Sequence, residues 1–517
     1  MKNLKKFSIC LLAAIMAAAC YKDKGNYDYS PISDIVIEGI DDNYTVVIPL
    51  DNKLEITPTI ITSYPETDLE YTWIRYNGSR GDTISRTRNL VHPITENLGG
   101  HSFFLYVKNR TNGFFVHRRT TMTVRSEFNI GFYMLKETAD GNTDIDLLLE
   151  DGRLGEDILT RTQGAPLQGK PRSLGIMYNR QMIDTATHAV SRAHSIGIVT
   201  YDKKVNILRA SDMYLAFDHT NLFYGEQPDD TPYKLIECAQ ANLYLTNKGI
   251  YPITNTSNGS GFLGFPSGTV TGSDHYAWSP MSRGLTCWDA QTKGLVFINT
   301  TAVTSRLNDA TYGDFSALDC ECVALGSNGK DDVYALLKSN ATGLITLYSF
   351  TVSASAQPPA CTKATAIPET SGLYRTSMIA FNEREQGAGM LYARALIYFV
   401  VDNKLYYYDI EQGTESELTP QDLPTDETIT YIRNNHYHMG NPGLSPASFS
   451  YFAVATHKEG HYNLYMYNTI SGITMGNAVL TASGTGRIKE VYYINTAFNH
   501  LSYNTLGTST NNYNYTR

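Results

Sequence analysis

Apolar and polar residues alternate with a period of two over most of the chain, and a helical period is nearly absent. Between residues 30 and 125 stand "ISDIVIEGI", "YTVVIPL", "LEITPTII", "LEYTWIRY", "HSFFLYVKNRT" and "GFFVHRRTTMTVRS", rich in β-branched and aromatic residues and separated by Asp, Asn, Gly and Pro turns. Runs of this spacing predict a β-sandwich of about 100 residues. From Phe128 the pattern changes to repeated hairpins: "FNIGFYMLKETADGNTDIDLLLEDG", "SIGIVTYDKKVNILRA", "ANLYLTNKGIYPITN", "KGLVFINTTAVTSRL", "DDVYALLKSNATGLITLYSFTV", "ALIYFVVDNKLYYYDIEQG", "YFAVATHKEGHYNLYMYNT" and a final strand "IKEVYYIN". Their starts fall near residues 128, 194, 241, 294, 332, 395, 450 and 488. The intervals bracket the roughly 40 to 50 residues of a propeller blade.

The prediction is therefore an all-β chain in which an Ig-like sandwich precedes a seven- or eight-bladed β-propeller. "IKEVYYINT" is expected to close the ring against the first strand near Phe128, removing free sheet edges. A long stacked sandwich is the alternative. The one weak helical candidate is "DTATHAVSRA".

The first residues carry a different pattern. Lys2, Lys5 and Lys6 precede an uncharged run from Phe7 to Ala19, too short to span a bilayer but suited to a secretory signal. Ala17, Ala18 and Ala19 then lead directly into Cys20, an arrangement that resembles the lipobox of bacterial lipoproteins. The resemblance implies cleavage before Cys20 and lipidation on it, an anchor sufficient for stable membrane attachment. The expected organisation is a signal peptide at 1–19, a lipidated tether at 20–29, a sandwich at 30–125 and the propeller at 126–517.

The mature start, "CYKDKGNYDYS", together with "LEYTWIRY" and the "HSFFLYVKNRTNG" hairpin, resembles the PKD-like lipoproteins of Bacteroidota. Trp73 lies mid-strand, where immunoglobulin-like sandwiches bury a core tryptophan. The "WDFGDG" motif of ordinary PKD domains is absent, so the resemblance implies the fold and carries over no site. It also implies a role as accessory to a SusC/SusD-type outer-membrane importer. Lys22 and Asp23 loosely resemble the signal that sends such lipoproteins to the cell surface.

Charge narrows the partners. Without the signal's three lysines, 39 basic residues face 51 acidic ones, a net charge near −12. That balance excludes nucleic acid, whose phosphates demand clustered Lys and Arg. Besides Cys10 and Cys20 the chain has Cys238, Cys287, Cys320, Cys322 and Cys361, an odd number that leaves at least one unpaired unless it bonds a partner, and a chain of this size needs no disulfide framework. Alternation places the two thiols of "LDCEC" on one face of a strand, in a core.

Candidate chemistry is sparse. No G-x-S-x-G, H-E-x-x-H, P-loop or EF-hand loop is present, which argues against an enzyme; propeller glycosidases with scattered carboxylates keep the alternative open. No metal or cofactor is expected. His457 and His461 flank a hairpin turn and read as surface residues. In "NNHYHMGNPG", His436, Tyr437 and His438 are candidates for a ligand-binding loop. The densest segment, residues 272–294, gathers His275, Tyr276, Trp278, Arg283 and Trp288, including two of the chain's three tryptophans. Flat rings cover sugar or peptide faces while Arg satisfies polar groups, and aromatic and Arg anchors also dominate protein interfaces. A core tryptophan is the competing reading of the same segment.

The expected function is a lipoprotein at the outer membrane, facing the exterior, that captures or presents an oligosaccharide or peptide beside the importer. The alternatives are a scaffold that docks on the importer without binding nutrient, and a surface glycoside hydrolase or lyase.

Overall fold

The computed structural model describes residues 35–183, 190–223, 229–238, 241–254, 263–266, 268–279, 284–299, 303–327, 332–352, 357–382, 394–438, 449–495 and 513–515. The chain divides into two compact units, Met1–Arg125 and Ser126–Arg517.

The first unit is built on a five-stranded sheet in the order Asn43–Ile48, Phe115–Ser126, Gly99–Asn109, Leu69–Asn77, Arg80–Ser85. Two short pairs accompany it, Val36–Glu38 with Thr59–Ile61 and Lys53–Ile56 with Leu90–Pro93. Strict alternation sends Trp73, Phe103, Leu105, Val107, Met122 and Val124 into one core. Trp73 is wholly buried there, and its indole Nε1 donates to the Arg88 carbonyl at 3.1 Å, so the ring's single polar atom is satisfied. The run "LEITPTII" is two strands rather than one: Pro58 has no N–H to continue a ladder, and the halves pair with different partners. Residues 80–85 and 90–93 are strands that the apolar pattern did not mark.

The second unit contains seven blades among the described residues. Blade 1 runs outward from Arg487–Asn495 through Ile130–Glu137 and Thr143–Leu148 to Leu154–Gly155. Blades 2 to 7 begin on the inner strands Pro171–Ile183, Pro232–Cys238, Tyr276–Ser279, Cys320–Ser327, Met378–Phe381 and Thr428–His438. Inner strands pack on one another around the ring, blade 2 on blades 1 and 3, and blades 4 to 7 in succession, with blade 7 returning to blade 1. Close approach is visible in the sequence as glycine. A Cβ on Gly175 would lie 1.6 Å from the Leu235 carbonyl oxygen, and one on Gly326 would lie 2.0 Å from the Phe381 ring.

Ring closure is the antiparallel pairing of Ile130–Glu137 with Arg487–Asn495, from Ile130 opposite Asn495 to Glu137 opposite Arg487. It joins residues more than 300 positions apart. Lys136 is buried beside it, 2.6 Å from Asp146 and 2.8 Å from Asp157, and Asp146 also accepts the Tyr462 hydroxyl of blade 7. Burial raises the Asp146 pKa, against the pull of Lys136.

Middle strands such as Thr143–Leu148, Gly284–Asp289 and Leu396–Val401 are buried along their whole length, because each blade is covered on both faces. Separate apolar clusters fill the gaps between blades 4 and 5, 5 and 6, and 6 and 7. Cys320 and Cys322 lie buried in the first of these with Glu321 exposed between them, and Cys361 joins them; Cys287 is buried on the second strand of blade 4, and all four are free thiols. Burial pushes the Cys320 and Cys361 thiols up to about 11.

The helical reading of "DTATHAVSRA" is corrected in its second half. Residues 184–189 lie outside the described residues, and Val190–Thr200 is a strand paired with Pro171–Ile183. Its β-branched residues and two ladder partners override a weak local pattern. The described helix of blade 1, Ile158–Gln163, is held by Asp144, which accepts from the Leu159 and Thr160 amides and the Thr160 hydroxyl.

Candidate functional site

The inner strands enclose an axial cavity of about 250 Å³, lined from blades 1, 3, 4, 5, 6 and 7. Lys234 projects into it from blade 3. Its Nζ donates to the Tyr492 hydroxyl at 2.6 Å and lies 3.1 and 3.4 Å from the two Glu490 carboxylate oxygens, both acceptors belonging to blade 1. Glu490 also accepts the Leu174 amide of blade 2 at 2.6 Å. One carboxylate thus ties three blades together, through an ion pair and a backbone hydrogen bond.

Lys234 is 3% exposed. Burial opposes its charge most strongly, but Glu490 and Tyr276 together outweigh the burial and hold the ammonium pKa above its ordinary value. Aromatic faces complete the setting: Lys234 Nζ lies 4.8 Å from the Tyr492 ring centroid and 5.6 Å from that of Tyr276. Arg433, on blade 7, places its guanidinium carbon 4.5 Å from the Tyr492 ring centroid. Burial pushes Tyr431 up to about 12, and its hydroxyl donates to the Val491 carbonyl. Asp274, also lining the cavity, pairs with Arg172 at 2.9 Å, and Arg172 in turn covers the Tyr233 ring at 4.2 Å. Leu325, Ile379, Phe381 and Ile432 supply apolar wall.

The residues singled out from the sequence are dispersed by the fold. Tyr276 reaches the cavity, as does its neighbour Asp274. His275 is half-buried just before that strand, and burial lowers its pKa. Trp288 does not belong to a ligand surface: it is 6% exposed and packs with Leu295 and Phe297 in the core between blades 4 and 5. It stands on the second strand of its blade, where both faces are covered. Trp278 pairs with Leu285 in the ladder, and Arg283 lies outside the described residues. His436, Tyr437 and His438 are the end of the blade 7 inner strand rather than a loop, because two ladders hold that backbone, one to Phe449–Lys458 and one to Tyr513–Tyr515. His457 and His461 flank the Glu459–Gly460 turn as expected.

Lys234, Arg433, Glu490 and Tyr492 were not marked by sequence. Their signal is a charge set inside an otherwise apolar strand: "PYKLIEC", "TYIRNNH" and "IKEVYYIN". Each alone reads as an exposed strand position. Among the described residues no group of His, Cys, Asp and Glu is arranged to hold a metal ion, and no helix is long and apolar enough to cross a membrane.

Residues 20–171 match the PKD-like family, a match that runs past the sandwich into the first blade. No curated protein matches the chain. Among solved structures it is similar to a quinonprotein alcohol dehydrogenase-like protein from Bacteroides thetaiotaomicron, with 13% identity and a TM-score of 0.37 over 89% of this chain and 98% of that one. It is also similar to an auxiliary nutrient binding protein from the same organism, with 10% identity and a TM-score of 0.32 over 83% and 96% of the two chains. BamB from Moraxella catarrhalis shows 12% identity and a TM-score of 0.34 over 69% and 92%. At these scores the likenesses carry no functional argument, and the propeller rests on the strand order itself.

Proposed function

We propose that the chain is a lipid-anchored binding protein of the outer membrane, facing the cell exterior, whose propeller captures an oligosaccharide or peptide in the axial cavity beside a SusC/SusD-type importer. The observation that carries this reading is the cavity, where charged and aromatic groups from five blades converge on a space the fold leaves open. The lipobox-like Cys20 and the PKD-like match over residues 20–171 support a tethered module. A tether raises the local concentration of captured ligand at the importer without chemistry.

Binding is favoured over hydrolysis by one feature. The carboxylates lining the cavity, Glu490 and Asp274, are each engaged by a cation, Lys234 and Arg172, so neither stands free as an acid or base opposite the other. The test is a glycan and peptide array probed with the full chain and with Ala380→Trp, which fills the cavity from the blade 6 inner strand. Ligands retained by the native chain should be lost by the variant, with at least a tenfold fall in affinity. Retention by both would move the site elsewhere, and product release from any arrayed glycan would replace binding with catalysis.

A further inference from the structure

Charges around the cavity do not balance. Lys234 is matched by Glu490 and Arg172 by Asp274. Arg433 is left over: its Nη2 is buried without a hydrogen-bond partner, and no ion pair to it is present among the described residues. Its contact is the face of Tyr492, which screens a cation but accepts no directed hydrogen bond of the strength a carboxylate offers. Lys234 nearby adds repulsion. A half-buried guanidinium in this position carries a desolvation cost that the protein does not offset.

We propose that Arg433 is the anchor for a ligand carboxylate, and that the axial cavity takes a ring-sized organic acid; this rests on the cavity being the binding site. Three observations select that class. The planar guanidinium fork matches a carboxylate in two parallel hydrogen bonds. With Glu490 and Asp274 already matched by Lys234 and Arg172, Arg433 leaves one surplus positive charge, which a monoanion balances and a phosphate dianion exceeds. The volume of about 250 Å³ and the apolar wall of Leu325, Ile379 and Phe381 suit one ring or a short aliphatic body behind the acid group. Such a carboxylate belongs either to an acidic sugar residue or to the C-terminal residue of a peptide.

Calorimetric titration of the full chain in detergent with matched pairs separates these sources: D-galacturonate against D-galactose, and N-acetylalanine against its amide. One acid should bind at least tenfold more tightly than its neutral partner. Arg433→Met should erase that preference, and Arg433→Lys, which keeps the charge but not the fork, should retain part of it. The two variants control for each other's folding, and the acid-to-neutral ratio in the native chain needs neither. Equal binding of acid and neutral forms, unchanged acid affinity in Arg433→Met, or failure of all four probes to bind would each overturn the carboxylate assignment. The cavity reading is judged separately, by whether Ala380→Trp abolishes array binding.

Discussion

Glu96 shows how much one side chain in the sandwich depends on its neighbours. Its carboxylate accepts from Arg75 Nη1 at 2.7 Å, from the Thr95 amide at 3.0 Å and lies 2.9 Å from His92 Nε2, with a side chain only 2% exposed. Burial pushes its pKa up, but the hydrogen bonds from Arg75, His92 and Thr95 together outweigh it and bring the value down to about 2 from an ordinary 4.5. A depressed carboxylate stabilises the fold fully above its unfolded value, and that stability is lost as pH falls from about 4.5 towards about 2. Glu96→Gln should therefore cost about 1.5–3 kcal/mol at pH 7, the worth of hydrogen bonds to a charged group. Calorimetric melting from pH 5 to pH 2 should also show a shallower pH dependence for the variant than for the native chain. Equal slopes would remove Glu96 from the account of acid stability.

At the scale of elements, the closing strand holds the ring. Val491 is wholly buried and faces Met134 in the register that joins Arg487–Asn495 to Ile130–Glu137. Val491→Asp should destabilise the propeller by roughly 3–5 kcal/mol, the cost of an uncompensated buried charge. Lys489→Asn, at an exposed position on the same strand, should stay within about 0.5 kcal/mol. Chemical denaturation of both variants checks the contrast.

The same strands explain which blades the apolar pattern could reveal. The hairpins that stood out, such as "ALIYFVVDNKLYYYDIEQG", are second and third strands, the second buried on both faces and hence purely apolar, the third partly exposed and rich in tyrosine. Inner strands carry Lys234, Arg433 or Glu490 towards the axis and break the pattern. The eighth signal, "IKEVYYIN", is not an eighth blade. It is the inner strand of the first.

For the whole molecule, the tether and the propeller are proposed to act together. Cys20→Ala should move the protein from the outer-membrane fraction to the soluble fraction on cell fractionation. Mild-detergent purification of the native protein should recover an importer barrel and its lid lipoprotein in near-stoichiometric amounts. Recovery of the chain alone would separate the binding protein from the importer. The sequence by itself determined the all-β class, the sandwich core around Trp73 and the propeller with its closing strand, because strand periodicity and turn residues are local properties of the chain. Only the tertiary structure decided that the described residues form seven blades, that Trp288 is core, and that Lys234, Arg433 and Glu490 meet. Those three stand on strands far apart in sequence, and their approach is set by how the blades pack around an axis, a relation that no local pattern encodes.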